Sequence, residues 1–435
     1  MARLRVLLLA PDADPTRVSI PYVTYCHAAA LAELHEVSLV IGSPVEEPVR
    51  RAKAPFHSIE VVRMPLLNRF FDWCFRTFLN SNFDTQWLTA LMLPFSMAFE
   101  WYAWRQLRSR ILAGEFDVVL RILPMAATLP SPFAFLLRKG PIPFVIGPIT
   151  GGLPWPPGFS QVENQREWVS YLRNLYGYAP FARSTYRNAT AIIAASSQTF
   201  SEFAMYRDKL FFVPEPGIGT ALCSHDQRSP EPAGKLELIF VGGLVPRKAC
   251  DLALRAAASV LRRGLAHFTV VGDGPERNNL EQLVRTLSIE TAVVFTRWLS
   301  HEEVLGRLKS ADVMVFPSVR DNGAGIVFES LATGAVPVVV DFGGPGDIVR
   351  PDVGYKVPLT NENDVVAQME KILTELVNNR EHLEQLRRQG MAYARERLTW
   401  DAKAWDTTQV LNWAVRQGPK PDLPPPKNLC PVRAN

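Results

Sequence analysis

Short apolar runs alternate with longer stretches of helical period over most of the chain, the pattern of parallel sheets covered by helices on both faces. In the first half, buried strands are expected over residues 6–10, 37–41, 59–64, 118–122, 144–146 and 191–195, with helices between them, notably over 25–34 and 91–112. A second series opens at Leu238, with strands expected over 238–241, 268–271, 293–295, 313–316 and 336–340. Between the series, residues 214–235 (PEPGIGTALCSHDQRSPEPAGK) are rich in Pro and Gly and carry no apolar period, as an interdomain linker does. A last helix is expected near residues 400–416, and the Pro-rich tail over 417–435 is expected to be disordered. No internal repeat is visible.

Two apolar segments raise the question of a membrane. Arg3 and Arg5 precede the run over 6–10, which imitates a signal peptide but is too short for its apolar core and reads as a first buried strand. The longest apolar stretch, between Trp87 and Trp104, is interrupted by Pro94 and Glu100 and lacks the flanks of a spanning helix. It reads as a core helix. The alternative is an interfacial helix with Phe95, Phe99, Trp101 and Trp104 toward lipid and Arg105, Arg108 and Arg110 at the headgroups.

A length of 435 residues implies two domains of about 200 residues each, and 47% hydrophobic residues suffice for two cores. The net charge of +4 gives no electrostatic push toward nucleic acid, so no nucleic-acid partner is expected. The sequence pI near 8.8 favours anionic lipid surfaces. Cys26, Cys74, Cys223, Cys250 and Cys430 are scattered and form no CxxC, which excludes a disulfide framework or structural zinc site and points to a reducing cytoplasm.

Residues 312–349 (DVMVFPSVRDNGAGIVFESLATGAVPVVVDFGGPGDIV) hold the densest chemistry. Asp321 and Glu329 stand eight apart; 313–316 reads as a strand, 321–325 as a Gly-containing loop and 326–333 as a helix leaving it. Such a turn offers unpaired N–H groups and a positive dipole end to a diphosphate. An acid at its mouth can reach sugar hydroxyls, and one a turn into the helix can accept from a ribose. Upstream, the turn over 242–248 brings Lys248 to a helix start, where it can meet a phosphate, and Gly272 to Glu276 form a second strand-to-helix turn. Asp12 and Asp14 imitate an Asp-x-Asp metal pair but read as turn formers.

These residues resemble family-4 retaining glycosyltransferases of the GT-B fold, whose signature is Glu, seven residues, Glu, then Ala-x-Ala-x-Gly-x-Pro-Val. The matching positions are Asp321, Glu329, Ser330, Ala332, Gly334, Pro337 and Val338, with one extra residue between the Gly and the Pro. VGGLVPRKACDLALRA from Val241, VVGDGPERNNLEQL from Val270 and TWDAKAW from Thr399 match in the family's order.

The resemblance implies an α/β chain of two Rossmann-like domains whose parallel sheets face across a cleft. Residues 1–213 would form the acceptor domain, 214–235 the linker and 236–398 the nucleotide-sugar donor domain, with 399–416 crossing back to the first domain. Asp321, Lys248 and Glu329 are then the catalytic candidates. Donor binding falls to Lys248 with Arg247 beside it, Gly274 near the nucleoside, and Gly325, Ile326, Val327 and Glu329 at the helix start. The family's phosphate-binding Arg is Gly243 here, and in the base-reading segment over 295–299 its usual Gly is Arg297, next to Trp298.

On the acceptor side the loop over 11–21 lacks glycine, which leaves Ser19 and Ile20 to make the turn, and Leu120 followed by Arg121 stands where many relatives place a His. Gly151, Gly152 and Trp155 in GPITGGLPWPPGF could approach and stack on an acceptor sugar. The activity implied is metal-independent, retaining hexosyl transfer without a cofactor, from a nucleotide-diphosphate-sugar to a sugar, lipid-linked or small-molecule acceptor. It would serve glycan, glycolipid or glycoconjugate biosynthesis in the cytoplasm or peripherally on the inner face of the membrane. A 2-epimerase does not explain the Asp321 to Glu329 spacing, and a starch synthase would carry a Lys-Thr-Gly-Gly-Leu loop. The competing class is an inactive relative acting as a binding or interaction subunit, motivated by Gly243, Leu120 and the shortened Asp321.

Overall fold

The structure is a computed structural model and describes residues 3–65, 67, 69, 85–153, 156, 159, 179–224 and 234–425, with only the backbone of 85–91. It divides into two compact units, one of Met1–Gly152, Glu167–Glu215 and Trp400–Asn435, the other of Leu153–Arg166 and Pro216–Thr399.

The first unit is built on β1 (Arg5–Leu9), β2 (Glu36–Gly42), β3 (Ser58–Val62), β4 (Val118–Arg121), β5 (Phe144–Ile149), β6 (Ala191–Ala194) and β7 (Leu210–Phe212). They pair in parallel in the order β3-β2-β1-β4-β5-β6-β7. Both faces are covered: Val6 and Leu8 enter one hydrophobic cluster while Leu7 and Leu9 enter the other. That is why the strand reads as a continuous apolar run. The second unit carries β8 (Leu236–Val241), β9 (Ala266–Val271), β10 (Val293–Arg297), β11 (Val313–Phe316), β12 (Val336–Val340) and β13 (Tyr355–Val357), parallel in the order β10-β9-β8-β11-β12-β13. The two Rossmann-like parallel sheets expected from the sequence are both present. Two edge strands of three residues, β7 and β13, were not expected. In each sheet the strand order reverses beside the first strand, between β1 and β4 and between β8 and β11. Open parallel sheets bind ligands at the carboxyl end of such a switch point.

The helix Trp400–Ala414 belongs to the first unit and packs on Ile20–Leu34. His27 Nε2 lies 2.9 Å from Thr407 Oγ1, and His35 Nε2 lies 2.8 Å from Thr408 Oγ1. Because His35 Nδ1 accepts the Leu4 N–H, Nε2 must be its protonated nitrogen, donating to Thr408. Burial, aided by the Lys403 charge, holds His27 down to about 3, and burial with Arg3 holds His35 down to about 4. Both rings are therefore neutral parts of the helix seam. Residues 418–425 follow this helix, and Leu423 O accepts the Phe212 N–H at 2.9 Å.

The helix Thr85–Leu112 buries Phe95, Phe99, Ala103, Leu107 and Ile111 along one four-residue stripe. Trp104 meets Phe133 edge-on at 5.7 Å, and Arg110 pairs with Glu60 and Glu115. This corrects the interfacial reading of Phe95, Phe99, Trp104 and Arg110, which are engaged by the protein. Trp101 and Tyr102 remain exposed, with Arg105 and Arg108 on the same outer side. Among the described residues no helix is long and apolar enough to cross a membrane.

Candidate functional site

In the second unit, the loops leaving β8, β9 and β10 are knitted together by backbone. Gly242 N–H donates to Val271 O at 2.9 Å, Leu244 N–H to Asp273 O at 3.0 Å, and Gly272 N–H to Arg297 O at 3.1 Å. The close approach needs glycine: at φ +135 a Cβ on Gly272 would lie 2.0 Å from Gly242 O, and one on Gly274 would lie 2.4 Å from Leu244 O. Gly274 also gives its N–H to Asp273 Oδ1 at 2.9 Å. The missing Cβ at Gly274 thus lets two loops touch. Gly243 instead faces open space bordered by Trp298, whose ring stands 3.7 Å from where a Cβ would be. Trp298 is exposed, and Arg297, at φ 68, ends β10 with its side chain exposed.

After Gly243 the chain makes one 3-10 turn, Pro246–Lys248, and Ala249 at φ 49 starts the helix Cys250–Arg262. Arg247 O accepts the Val319 N–H at 3.0 Å and the Ser318 hydroxyl at 3.3 Å, which ties this turn to the segment leaving β11. The tie carries Lys248 Nζ onto Asp321 Oδ2 in a direct ion pair, with the side chains 17% and 14% exposed. The ammonium also stands 4.9 Å from the centroid of the Phe316 ring. Asp321 Oδ1 receives the Ala324 N–H at 3.3 Å, and Asp321 O receives that of Gly344 at 2.8 Å. The acid at the mouth of the loop is therefore held from three sides.

Ala324, at φ 48, is the cap of the helix Gly325–Thr333. Val327 N–H turns back onto Ala324 O at 2.8 Å, so this amide, expected to face a ligand, is engaged by its own chain. Gly325 and Ile326 precede it in the first turn, where N–H groups have no partner four residues back. Glu329 lies one turn further and meets His301 Nε2 through Oε1 at 2.9 Å. The hydrogen bond from His301 and the carboxylate charge together hold that imidazole above its ordinary range. Sequence reasoning missed His301, although Ser300 and Glu303 around it spell a capping box that would have placed it at a helix start. Lys248, Asp321, the Gly325 turn and Glu329 thus come together at the β8/β11 switch point of one unit. Among the described residues no group of three or more His, Cys, Asp or Glu side chains is placed to hold a metal ion.

Of the acceptor-side candidates, Ser19, Leu120, Arg121, Gly151 and Gly152 lie in the first unit and fare differently. Leu120 and Arg121 are fully buried on opposite faces of β4. Arg121 Nε lies 2.8 Å from Glu100 Oε1 and Nη2 donates to Leu129 O at 3.0 Å, while Ser131 Oγ and Phe133 N–H donate to Glu100 Oε2. Arg121 is thus a core charge clamped by a helix carboxylate, and neither residue can touch an acceptor. Ser19, at φ 66, caps the helix Ile20–Leu34 without a side-chain bond and stays exposed. Gly151 gives its N–H to Thr199 Oγ1 at 2.7 Å and faces Glu202; Gly152 follows it, half-buried. Trp155 lies outside the described residues.

Residues 224–392 match the glycosyl transferases group 1 family. The matched segment is less than half of the chain and contains Lys248, Asp321, Gly325 and Glu329. Curated relatives agree with it: an uncharacterized glycosyltransferase of Methanocaldococcus jannaschii is 28% identical over 185 residues, 41% of this chain and 45% of that protein. A GDP-mannose-dependent alpha-mannosyltransferase of Mycobacterium tuberculosis is 33% identical over 125 residues, 29% of this chain and 30% of that one. The chain spans less than half the length of either. Among solved structures, Anabaena HepE in complex with UDP matches 94% of this chain and 100% of its own at TM-score 0.60 and 13% identity. Sucrose-phosphate synthase of Thermosynechococcus elongatus matches 94% and 99% at TM-score 0.59 and 16% identity. At such identities the likeness shows the fold, and that fold is the GT-B pair of Rossmann-like domains.

Proposed function

We propose that the chain is a retaining glycosyltransferase of the family-4 type, moving a hexosyl group from a nucleotide-diphosphate-sugar to an acceptor in glycan, glycolipid or glycoconjugate biosynthesis. The observation that carries this reading is the Lys248–Asp321 pair at the mouth of the Gly325–Thr333 helix, with Glu329 one turn inside it. Lys248 and the amides of Gly325 and Ile326 would stabilise the leaving diphosphate, which is electrostatic catalysis by groups already in place. Asp321 would hold a sugar hydroxyl near C1, and Glu329 a ribose hydroxyl. The acceptor oxygen bonds to C1 on the face from which the C1–O bond to phosphate breaks, and its proton passes to the leaving phosphate oxygen. No protein base is required, which accommodates Leu120 in place of a His.

The positive charge comes from Lys248 and the helix end, so the chemistry runs without a resident metal. Relatives supply the donor classes to try: HepE was solved with UDP-glucose, and several curated relatives use GDP-mannose. For a lipid-linked acceptor, the exposed Trp101, Tyr102, Arg105 and Arg108 would suit peripheral contact with an anionic membrane face, with the protein in the cytoplasm. The test is product-nucleotide release from UDP- and GDP-sugars with crude acceptor fractions, with and without EDTA, and the anomeric configuration of the product by NMR. Release that persists in EDTA with retained configuration is expected; inversion, or loss in EDTA restored by manganese or magnesium, refutes the mechanism. A second reading, a catalytically weak or inactive binding subunit, is favoured by one observation: Lys248 and the short Asp321 satisfy each other.

A further inference from the structure

Glu329 is not left to itself at the candidate nucleotide site. His301 reaches it from the neighbouring helix His301–Ser310, Nε2 to Oε1 at 2.9 Å, with side chains 67% and 22% exposed respectively. The backbone that carries His301 is fixed. Ser300 Oγ receives the Glu303 N–H at 3.3 Å, and the Glu303 carboxylate receives the Ser300 N–H at 2.8 Å and its hydroxyl at 2.7 Å. The imidazole therefore hangs from a rigid point, and its described partner is the Glu329 carboxylate.

Such an exposed pair adds little to folding stability. Its consequence for Glu329 is larger. A glutamate has three rotatable side-chain bonds, and an acceptor that must order itself on binding gives up part of the hydrogen-bond energy it gains. With Oε1 held by His301, Oε2 keeps its lone pairs for an incoming donor.

We infer that His301 is a positioning residue for nucleotide recognition, holding Oε1 of Glu329 so that Oε2 is presented to a ribose hydroxyl. This rests on the reading of Glu329 as the ribose acceptor. His301 touches neither sugar nor phosphate, so its removal acts on ground-state binding and leaves the reacting centre alone.

The experiment is calorimetric titration of the full chain with UDP, GDP and their 2′,3′-dideoxy analogues, in wild type, His301→Ala, His301→Gln and Glu329→Gln. For the nucleotide that binds wild type, His301→Ala is expected to weaken the ribose form roughly 5- to 10-fold and to leave the dideoxy form unchanged. His301→Gln, whose amide can still donate, should recover most of the loss. Donor KM should rise with kcat within about twofold.

Equal weakening of ribose and dideoxy forms by His301→Ala, or no effect while wild type still discriminates them, overturns the role of His301. If wild type does not discriminate, or binds neither UDP nor GDP, the failure lies with Glu329 and the site reading, and the inference falls with it. An unchanged thermal midpoint in His301→Ala confirms that the comparison is between folded proteins.

Discussion

Replacing Lys248 by Ala separates a phosphate-binding cation from a structural one. The ammonium is 17% exposed, paired with Asp321 and 4.9 Å from the Phe316 ring centroid. A charge-assisted contact to a phosphate oxygen is worth about 1.5–3 kcal/mol. Donor binding must first draw the ammonium away from Asp321, a partly exposed pairing worth about 1 kcal/mol or less. The difference, about 1–2 kcal/mol, corresponds to roughly 5- to 30-fold weaker binding of the nucleoside diphosphate. Titration calorimetry with UDP and GDP reads this directly. Asp321→Asn provides the opposing control: with its partner neutral, Lys248 is released toward phosphate, and nucleotide affinity should hold or rise. Unchanged affinity in Lys248→Ala would remove Lys248 from the site, and a loss of affinity in Asp321→Asn equal to that in Lys248→Ala would make the pair a structural strut.

Other consequences are independent of the chemistry. His27 and His35 stay neutral in the fold with values near 3 and 4, whereas an unfolded histidine titrates near 6.5. The unfolded chain therefore binds more protons below pH 6.5, and stability falls as pH drops from there toward 4, by about 1.4 kcal/mol per unit for each ring. Urea unfolding at pH 7.5 and 5.0 should differ by about 3–4 kcal/mol, and a flat pH profile would contradict the neutral seam. Gly272→Ala places a Cβ 2.0 Å from Gly242 O at a positive φ, so a loss of about 2–4 kcal/mol, seen as a lower Tm, is expected; an unchanged Tm would mean the loops are not knitted as described. Wild type should pellet with anionic vesicles at low salt and Arg105→Glu/Arg108→Glu should not, whereas equal pelleting removes that face from membrane contact.

Much of this was legible in the sequence because it is local. Strands such as β1 and β12, buried on both faces, announce themselves as unbroken apolar runs, and the spacing from Asp321 to Glu329 is a property of one loop and one helix. What escaped was long-range. Nothing near β4 says that Arg121 will be neutralised by Glu100 twenty-one positions earlier, so a buried ion pair looked like an acceptor residue. His301 meets Glu329 only because two helices pack, and an exposed His between Ser300 and Glu302 reads as surface. That a Cβ on Gly274 would meet Leu244 O is set by a loop from another strand and is not written near Gly274. The edge strands β7 and β13 are three residues each, below the length at which periodicity speaks.

The most direct test of the central claim is turnover and donor affinity measured side by side in wild type and Asp321→Asn, using whichever UDP- or GDP-sugar wild type consumes. If Asp321 acts on the sugar at the reacting centre, turnover should fall on the order of 100-fold or more while donor affinity changes little. Equal turnover in the two proteins, or a wild type that binds donor yet transfers to no acceptor and hydrolyses none while Asp321→Glu gains activity, would contradict it and leave the binding-subunit reading in its place.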